Sequence, residues 1–133
     1  MLSIFPDLFF LEQLSELVLR LVLGVIFIAH GYPKLFKDFA GTAQFFESYG
    51  IKPATFWVIV VGVVEFVGGI LLIIGLFTQI AAILLAINMV VAIIKVKFRQ
   101  GFVNGYEFDL ALLAMTIALV FLKPGFFSID LPF

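Results

Sequence analysis

The chain has 133 residues, of which 64% are hydrophobic and only 13% are charged, and its formal net charge is −1. Soluble domains are about 45–50% apolar and about 25% charged, so this composition excludes a disordered chain, a coiled coil and almost any soluble globule. The near-zero net charge provides no electrostatic surface for nucleic acid, and the absence of cysteine excludes disulfides and thiolate-held metals. A mean hydropathy of +1.25 predicts a protein whose solvent is a lipid bilayer.

Four segments are long and apolar enough to cross a membrane, for which a helix needs about 20 predominantly apolar residues. In chain order they cover approximately residues 14–32, 55–75, 78–97 and 106–122. The connection between the second and third is so short that these two must run antiparallel, and Thr78 is the predicted N-cap of the third. The predicted fold class is all-α, a four-helix transmembrane bundle that forms a single domain over residues 1–133.

Loop one, from Pro33 to Pro53, is expected to hold an additional helix. Pro33 is predicted to end the first span, because a proline biases the preceding residue away from helix. Apolar residues then recur near a helical spacing at Leu35, Phe36, Phe39, Ala43 and Phe46. This pattern predicts an amphipathic interfacial helix, which serves either as a membrane-surface anchor or as a lid over a site on that face.

The distribution of basic residues predicts the orientation of the bundle. Loops one and three contain six of them, namely Lys34, Lys37, Lys52, Lys95, Lys97 and Arg99. The opposite side has only Lys123. The positive-inside rule therefore places loops one and three in the cytoplasm and both termini outside the cell membrane.

Three polar residues inside the spans form the first candidate site, namely Arg20, Glu65 and Asn88. Such residues are costly in lipid, so they face the bundle interior and find partners. An Arg20–Glu65 pair is geometrically allowed, and it would serve either to set the helix register or to bind a ligand or move a proton. Asn88 is most simply a hydrogen-bonding contact between helices.

A second candidate cluster lies at the end of the bundle where loops one and three meet. It consists of His30, Lys34, Lys95 and Glu107. Glu107 is expected to face the interior and Asp109, two positions on, to face water. Counting residues along the spans separates Glu65 from this level by roughly 15 Å. With one histidine and no cysteine, no metal site is expected.

Three motifs together resemble those of the DoxX family. The first runs from Arg20 to Leu35, and the second covers Gly62 to Gly69 around a central glutamate, followed by a turn at 75–78. The third consists of Glu107 with the C-terminal sequence from Pro124 to Asp130. The resemblance covers nearly the whole chain, from about Leu17 to Asp130.

The resemblance implies a small four-helix membrane protein with a redox association but no assigned reaction. One branch of the family, DoxD, is a subunit of a thiosulfate:quinone oxidoreductase, and another member belongs to a membrane-associated oxidoreductase complex. More distant relatives are eukaryotic receptor-assembly and cargo-receptor proteins without a redox role. The resemblance identifies five motif residues of the family in this chain but implies no role for any of them. They are Arg20, His30, Lys34, Glu65 and Glu107.

Three functions remain open at this point. The first is a quinone-linked subunit of a membrane oxidoreductase complex, with no intrinsic cofactor, a bound quinone and a soluble or membrane redox partner. In this case Arg20, His30 and Glu65 would supply hydrogen bonds and protons to the quinone head group. The second is a non-catalytic scaffold that recruits soluble partners through Lys34, Lys37 and Arg99. The third is a small-molecule or lipid transporter, for which four helices would need to assemble at least as a homodimer.

Overall fold

The computed structural model describes residues 3–125 and 127–130 and places them in an all-helical fold. The helices, in chain order, are α1 (Gln13–Tyr32), α2 (Phe39–Ser48), α3 (Ala54–Ile74), α4 (Thr78–Lys95) and α5 (Glu107–Phe121). Short 3-10 helices occupy Pro6–Leu11 and Lys97–Gln100, and π-helical turns occupy Pro33–Lys37 and Phe102–Tyr106. Four of these helical stretches are long and apolar enough to cross a membrane, which confirms the predicted fold class.

The two ends of the bundle differ in which segments they contain. One end, called the loop end here, holds loop one and the segment 96–106. The opposite end, called the terminal end, holds the α3–α4 turn, the start of α1 and the described C-terminal residues. Most large apolar side chains on the outer faces of the long helices are exposed, as a bilayer environment requires.

The first span does not end at Pro33. Tyr32 keeps helical dihedral angles, and the chain continues through the π-helical turn Pro33–Lys37 to Asp38. Proline lacks an N–H group and crowds the carbonyl four residues before it, and a widened turn accommodates both effects without ending the helix. The first membrane-spanning stretch therefore extends to Lys37. Lys34 lies within this stretch, where it can reach Glu65 on α3.

Helices α1 and α3 pack closely because glycines face each other across the contact. A Cβ atom on Gly24 would lie 2.7 Å from the carbonyl oxygen of Gly69, and one on Gly31 would lie 2.7 Å from the backbone nitrogen of Phe66. Both positions therefore require glycine for backbone approach. This contact fixes the antiparallel register of the two helices.

The α3–α4 turn contains two residues in the left-handed region, Gly75 (φ 72°) and Phe77 (φ 51°). The prediction that Thr78 is the N-cap is wrong, because Phe77 occupies that position and Thr78 is the first helical residue. The capping carboxylate comes from Asp130, whose Oδ1 and Oδ2 accept hydrogen bonds from the backbone N–H groups of Phe77 (2.6 Å) and Thr78 (2.9 Å). The Asp130 carboxylate, although distant in sequence, therefore caps α4 in place of a side chain from the turn itself.

The core of the bundle is a layer of apolar side chains contributed by all four long helices. Its fully buried members include Leu23, Phe27, Leu72, Leu85 and Leu119. The predicted helix in loop one is present as α2, which packs against α3 and buries Phe46.

Candidate functional site

The Lys34–Glu65 ion pair is the central polar contact at the loop end. Lys34 Nζ lies 2.9 Å from Glu65 Oε1, and the two side chains are 22% and 5% exposed. The same ammonium group donates a hydrogen bond to the carbonyl oxygen of His30 (3.1 Å). Helical side chains lean toward the N-terminus of their own helix, so Lys34 reaches back along the bundle to meet Glu65.

The predicted separation of roughly 15 Å along the bundle between Glu65 and the level of His30 is wrong. A Cβ atom on Gly31 would lie 3.0 Å from the Cβ atom of Glu65, so the two residues are level with each other. The separation of roughly 15 Å was obtained by counting residues, on the assumption that all four helices start and end at the same depth in the membrane. The glycine contact between α1 and α3, and the continuation of α1 through Lys37, instead set the offset between them.

Asp109 belongs to this site although the sequence placed it in water. It is 7% exposed, whereas Glu107 is only half-buried, so their predicted roles are reversed. Asp109 begins a stripe on α5 that continues through Leu112, Thr116 and Leu119, all buried. That helical spacing was the signal in the sequence that would have assigned Asp109 to the interior.

His30 lies at the edge of the same site. Its ring is exposed and packs at a tilt against Phe108, with 6.0 Å between the ring centroids. The next residue, Gly31, lies level with Glu65, and Phe108, which the His30 ring contacts, is the chain neighbour of Asp109. The loop end therefore combines an acid–base pair, a second buried acid and an accessible imidazole. We call Lys34, Glu65, His30 and Asp109 the loop-end cluster.

Arg20 does not pair with Glu65, although the sequence allows that contact. Its Nε atom lies 2.6 Å from Glu16 Oε1, one helical turn earlier, and both side chains are buried. The guanidinium group of Arg20 lies near Ile73 at the end of α3. Ile73 is eight residues after Glu65, which corresponds to about 12 Å along the helix. The i,i+4 spacing of Glu16 and Arg20 was the signal that sequence reasoning overlooked.

The remaining hydrogen bonds of Arg20 go to backbone carbonyls. Its Nη1 donates to Leu72 (3.2 Å) and Ile73 (3.4 Å), and its Nη2 donates to Phe127 (2.7 Å). The partner carboxylate of Glu16 also accepts a hydrogen bond from the backbone N–H of Gly125 (2.9 Å). Arg20 therefore joins α1, α3 and the C-terminal residues, which indicates a structural role.

The other two candidate residues lie outside the loop-end cluster. Asn88 Nδ2 donates a long hydrogen bond of 3.4 Å to the carbonyl oxygen of Val61, which links α4 to α3 as a contact between helices. Lys95 is exposed at the last residue of α4. The structure therefore brings His30, Lys34 and Glu65 together and leaves Arg20, Asn88 and Lys95 elsewhere.

The chemistry open to the loop-end cluster is proton exchange and hydrogen bonding. Glu65 and Asp109 can hold or release a proton, and Lys34 and His30 can donate hydrogen bonds to a polar group. Within residues 3–125 and 127–130, no three His, Asp or Glu side chains are grouped to hold a metal ion. A cleft of about 710 Å³ lies at the opposite, terminal end.

Comparison with known proteins finds relatives from three bacteria that are similar to most of this chain. It is 38% identical over 118 residues to a Bacillus subtilis (strain 168) protein named "Putative oxidoreductase CatD", covering 89% of this chain and 86% of that protein. It is 35% identical over 130 residues to "Uncharacterized membrane protein Rv3486" of Mycobacterium tuberculosis (strain ATCC 25618 / H37Rv), covering 87% and 79% respectively.

A third relative is "Inner membrane protein YqjF" of Escherichia coli (strain K12), 30% identical over 126 residues, with 90% of this chain and 92% of that protein covered. No solved structure matches the chain. The DoxX family model matches residues 15–98, which include α1 except its first two residues, the whole of α2 to α4 and the Lys34–Glu65 pair. This membrane protein belongs to the DoxX family.

Proposed function

We propose that the protein is a redox-associated membrane subunit that binds a quinone head group at the loop-end cluster. The observation that carries this proposal is the Lys34–Glu65 ion pair, which is held inside a membrane-spanning bundle beside a second buried acid. Ionisable groups at such positions are costly, and they commonly mark ligand or proton pathways. The name of the Bacillus subtilis relative, an oxidoreductase, is consistent with this class of function.

The residues of the loop-end cluster would make different contacts with the quinone. His30 is exposed at the edge of the bundle and lies against Phe108, so a flat ring arriving from the lipid would meet an aromatic face and a hydrogen-bond donor. Once Glu65 has taken up a proton and its ion pair with Lys34 is broken, Lys34 would donate a hydrogen bond to a quinone carbonyl and the protonated Glu65 would deliver its proton to the same oxygen. Arg20 takes no part, because its donors are occupied at the other end of the bundle.

The reaction requires a partner that supplies electrons. A quinone takes up two electrons and two protons to become a hydroquinone. In our proposal the electrons come from a redox protein docked at the loop end, and each proton reaches the quinone through Glu65 or Asp109 after that carboxylate has taken it up from the aqueous side. Both acids are then reprotonated from the aqueous side of the loop end.

The proposal is tested by replacing Glu65 with glutamine, which keeps its size and removes its ability to carry a proton. The wild type, Glu65→Gln and the matched control Glu107→Gln are purified in mild detergent, and bound quinone is measured by mass spectrometry. We expect stoichiometric quinone in the wild type and in the control, and at least about a tenfold loss in Glu65→Gln, the equivalent of about 1.4 kcal/mol.

Equal quinone content in all three proteins would overturn the proposal. Thermal unfolding in the same detergent shows whether Glu65→Gln is folded. Should it unfold, the comparison passes to Lys34→Arg and Lys34→Met, of which only the first keeps the charge beside Glu65. Quinone retained equally by both variants would likewise contradict a role for the pair in binding.

A scaffold that recruits soluble partners is the second candidate. It is favoured by the exposure of Lys37 and Arg99 at the loop end, whereas Lys34 is engaged with Glu65 and is not free for a partner. Co-purification of a partner that depends on Lys37 and Arg99, but not on Glu65, would favour the scaffold over the quinone-binding subunit.

A further inference from the structure

The two ion pairs of the bundle lie at separate levels. The Lys34–Glu65 pair lies at the loop end, and the Glu16–Arg20 pair lies at the terminal end. The guanidinium group of Arg20 donates to the carbonyl of Ile73, which is eight residues after Glu65 and therefore about 12 Å from it along α3. A proton that crossed the bundle would have to travel this distance.

An apolar layer fills the space between these two levels. It contains the core residues Leu23 and Phe27 of α1, Leu85 of α4 and Leu112 of α5, each at most 2% exposed. Protein interiors have few voids larger than a water molecule, and cavities lined only by apolar side chains stay dry. The layer therefore offers a proton neither water nor a hydrogen-bonding side chain.

The middle of α3 closes this layer on two sides. Four residues after Glu65, a Cβ atom on Gly69 would lie 2.7 Å from the carbonyl oxygen of Gly24 on α1. One residue earlier, a Cβ atom on Gly68 would lie 3.3 Å from the Leu85 side chain of α4. These contacts are too close for a water molecule to lie between α3 and either neighbour at this level.

Thr116 is the one buried polar side chain between the two levels among the residues that the structure describes. It is seven residues after Asp109, which corresponds to about 10 Å along α5. Its hydroxyl donates a hydrogen bond to the Leu113 carbonyl of the same helix (2.8 Å). Proton transfer needs hydrogen-bond reach, directly or through a water molecule, so Thr116 does not connect the two levels.

Access from outside differs between the two levels. At the loop end the Lys34 side chain is 22% exposed, and it is the direct partner of Glu65. At the terminal end a cleft of about 710 Å³ reaches Glu16. Arg20, which lies beyond Glu16 on the same helix, is 0% exposed and ends this access. Only the loop end therefore has an exposed group in contact with Glu65.

We propose that Glu65 and Asp109 exchange protons only with the aqueous phase at the loop end, because the bundle is closed to protons toward the terminal end. The other charged groups of the loop-end cluster are Lys34 and His30, and the described residues of α2 and α4 contribute no buried charged side chain. The inference deepens the proposed function and rests on it for the use of the protons. Each quinone reduced with electrons from the docked redox protein would remove two protons from the loop-end phase. A bundle closed in this way does not carry protons across the membrane.

The inference is tested with dicyclohexylcarbodiimide, a lipid-soluble reagent that attaches covalently to protonated carboxyl groups. The full chain is placed in uniformly oriented vesicles, and maleimide labelling of Gln100→Cys in the same preparation shows which side the loop end faces. The pH on each side is set independently, and mass spectrometry locates the adduct. We expect a decrease of about two pH units at the loop end to raise the labelling of Glu65 at least about tenfold, and the same decrease at the terminal end to leave it unchanged.

Three controls accompany this measurement. A protonophore equalises the pH across the membrane and should abolish the difference between the two sides. Glu16 and Asp130 line the terminal-end cleft, so any adduct on either carboxylate should follow the pH at the terminal end. Glu65→Gln removes the reactive carboxyl group and confirms the assignment of the adduct.

Labelling of Glu65 that follows the pH at the terminal end, or the pH on both sides equally, would contradict the inference. If Glu65 takes up no reagent, Glu65→Cys in this cysteine-free chain is treated from each side with a membrane-impermeant methanethiosulfonate. Leu23→Cys in the apolar layer is the matched control, and Asp109→Cys takes the place of Glu65→Cys if thermal unfolding shows that the latter is not folded. We expect reaction from the loop end only, whereas reaction from the terminal end, or from neither side, would refute the inference. Neither measurement contains quinone, so one-sided access and quinone binding can fail independently.

Discussion

Two cations on the first membrane-spanning stretch, the buried Arg20 and the partly exposed Lys34, are used in different ways. Arg20 is 0% exposed, pairs with a carboxylate on its own helix and donates to backbone carbonyls of α3 and the C-terminal residues. Lys34 has a flexible, partly exposed side chain and pairs with Glu65 on α3. The planar guanidinium suits several fixed acceptors at once, whereas an ammonium group can exchange partners and protons more readily.

Removing Arg20 alone should therefore destabilise the protein more than removing the whole pair. Arg20→Met leaves the Glu16 carboxylate buried without its partner, and we expect a loss of about 3–5 kcal/mol in the free energy of unfolding. The double variant Glu16→Gln/Arg20→Met removes both charges and should be less destabilised than the single variant. Unfolding in detergent, followed by circular dichroism, measures both.

The control for this cycle is Lys123→Met, which removes an exposed cation and should change stability little. If Arg20→Met proved no less stable than the double variant, the Glu16 charge would not depend on Arg20. The assignment of the pair as a structural unit would then fail.

At the scale of elements, the contact between α1 and α3 positions the loop-end cluster. Gly24 and Gly31 lie one heptad apart on α1 and meet the backbone of α3 at Gly69 and Phe66. The offset set by these contacts brings Glu65 within reach of Lys34. A side chain at either position would separate the helices or shift their register.

Gly24→Ala is expected to destabilise the bundle by about 1–3 kcal/mol, the usual cost of overpacking a close contact. The added methyl group would meet Ile73 Cγ1 at 2.5 Å and a backbone carbonyl at 2.7 Å. Gly68→Ala is the matched control, because its methyl group would meet only the Leu85 side chain at 3.3 Å or more. The free energy of unfolding of both variants is compared in one detergent.

We expect Gly68→Ala to be near neutral, since alanine also favours helix over glycine by up to about 1 kcal/mol. Equal stability of the two alanine variants would show that α1 and α3 can move apart freely. Quinone retention in Gly24→Ala then reports whether the register matters for the loop-end cluster.

At the scale of the whole molecule, the two ends differ in charge. The exposed basic residues Lys37, Lys52, Lys95 and Arg99 lie at the loop end, whereas Lys123 lies at the terminal end. The membrane location follows from the four apolar helices and from the membrane-protein relatives. The orientation remains a prediction from this charge bias, with the loop end in the cytoplasm.

The absence of cysteine makes the orientation directly testable. Glu12→Cys and Gln100→Cys introduce single exposed thiols at the terminal end and the loop end respectively. In right-side-out vesicles, a membrane-impermeant maleimide should label Glu12→Cys at once and Gln100→Cys only after detergent is added. The reverse pattern would invert the orientation and place the loop-end cluster on the outer face.

The sequence by itself determined the features that depend on local composition. Four apolar segments predict four spanning helices because lipid leaves the backbone no other way to satisfy its hydrogen bonds, and all four are present. The helix in loop one also followed from its apolar spacing. The membrane-embedded polar residues stood out because charge is rare in such segments.

Only the tertiary structure decided which of those polar residues meet. Glu65 pairs with Lys34 rather than Arg20, Asp109 is buried in place of Glu107, and Asp130 caps α4 from 52 residues away. The physical reason is that partner choice depends on the offset and rotation of neighbouring helices. Those are set by close glycine contacts and long-range hydrogen bonds, which no periodicity within a single helix encodes.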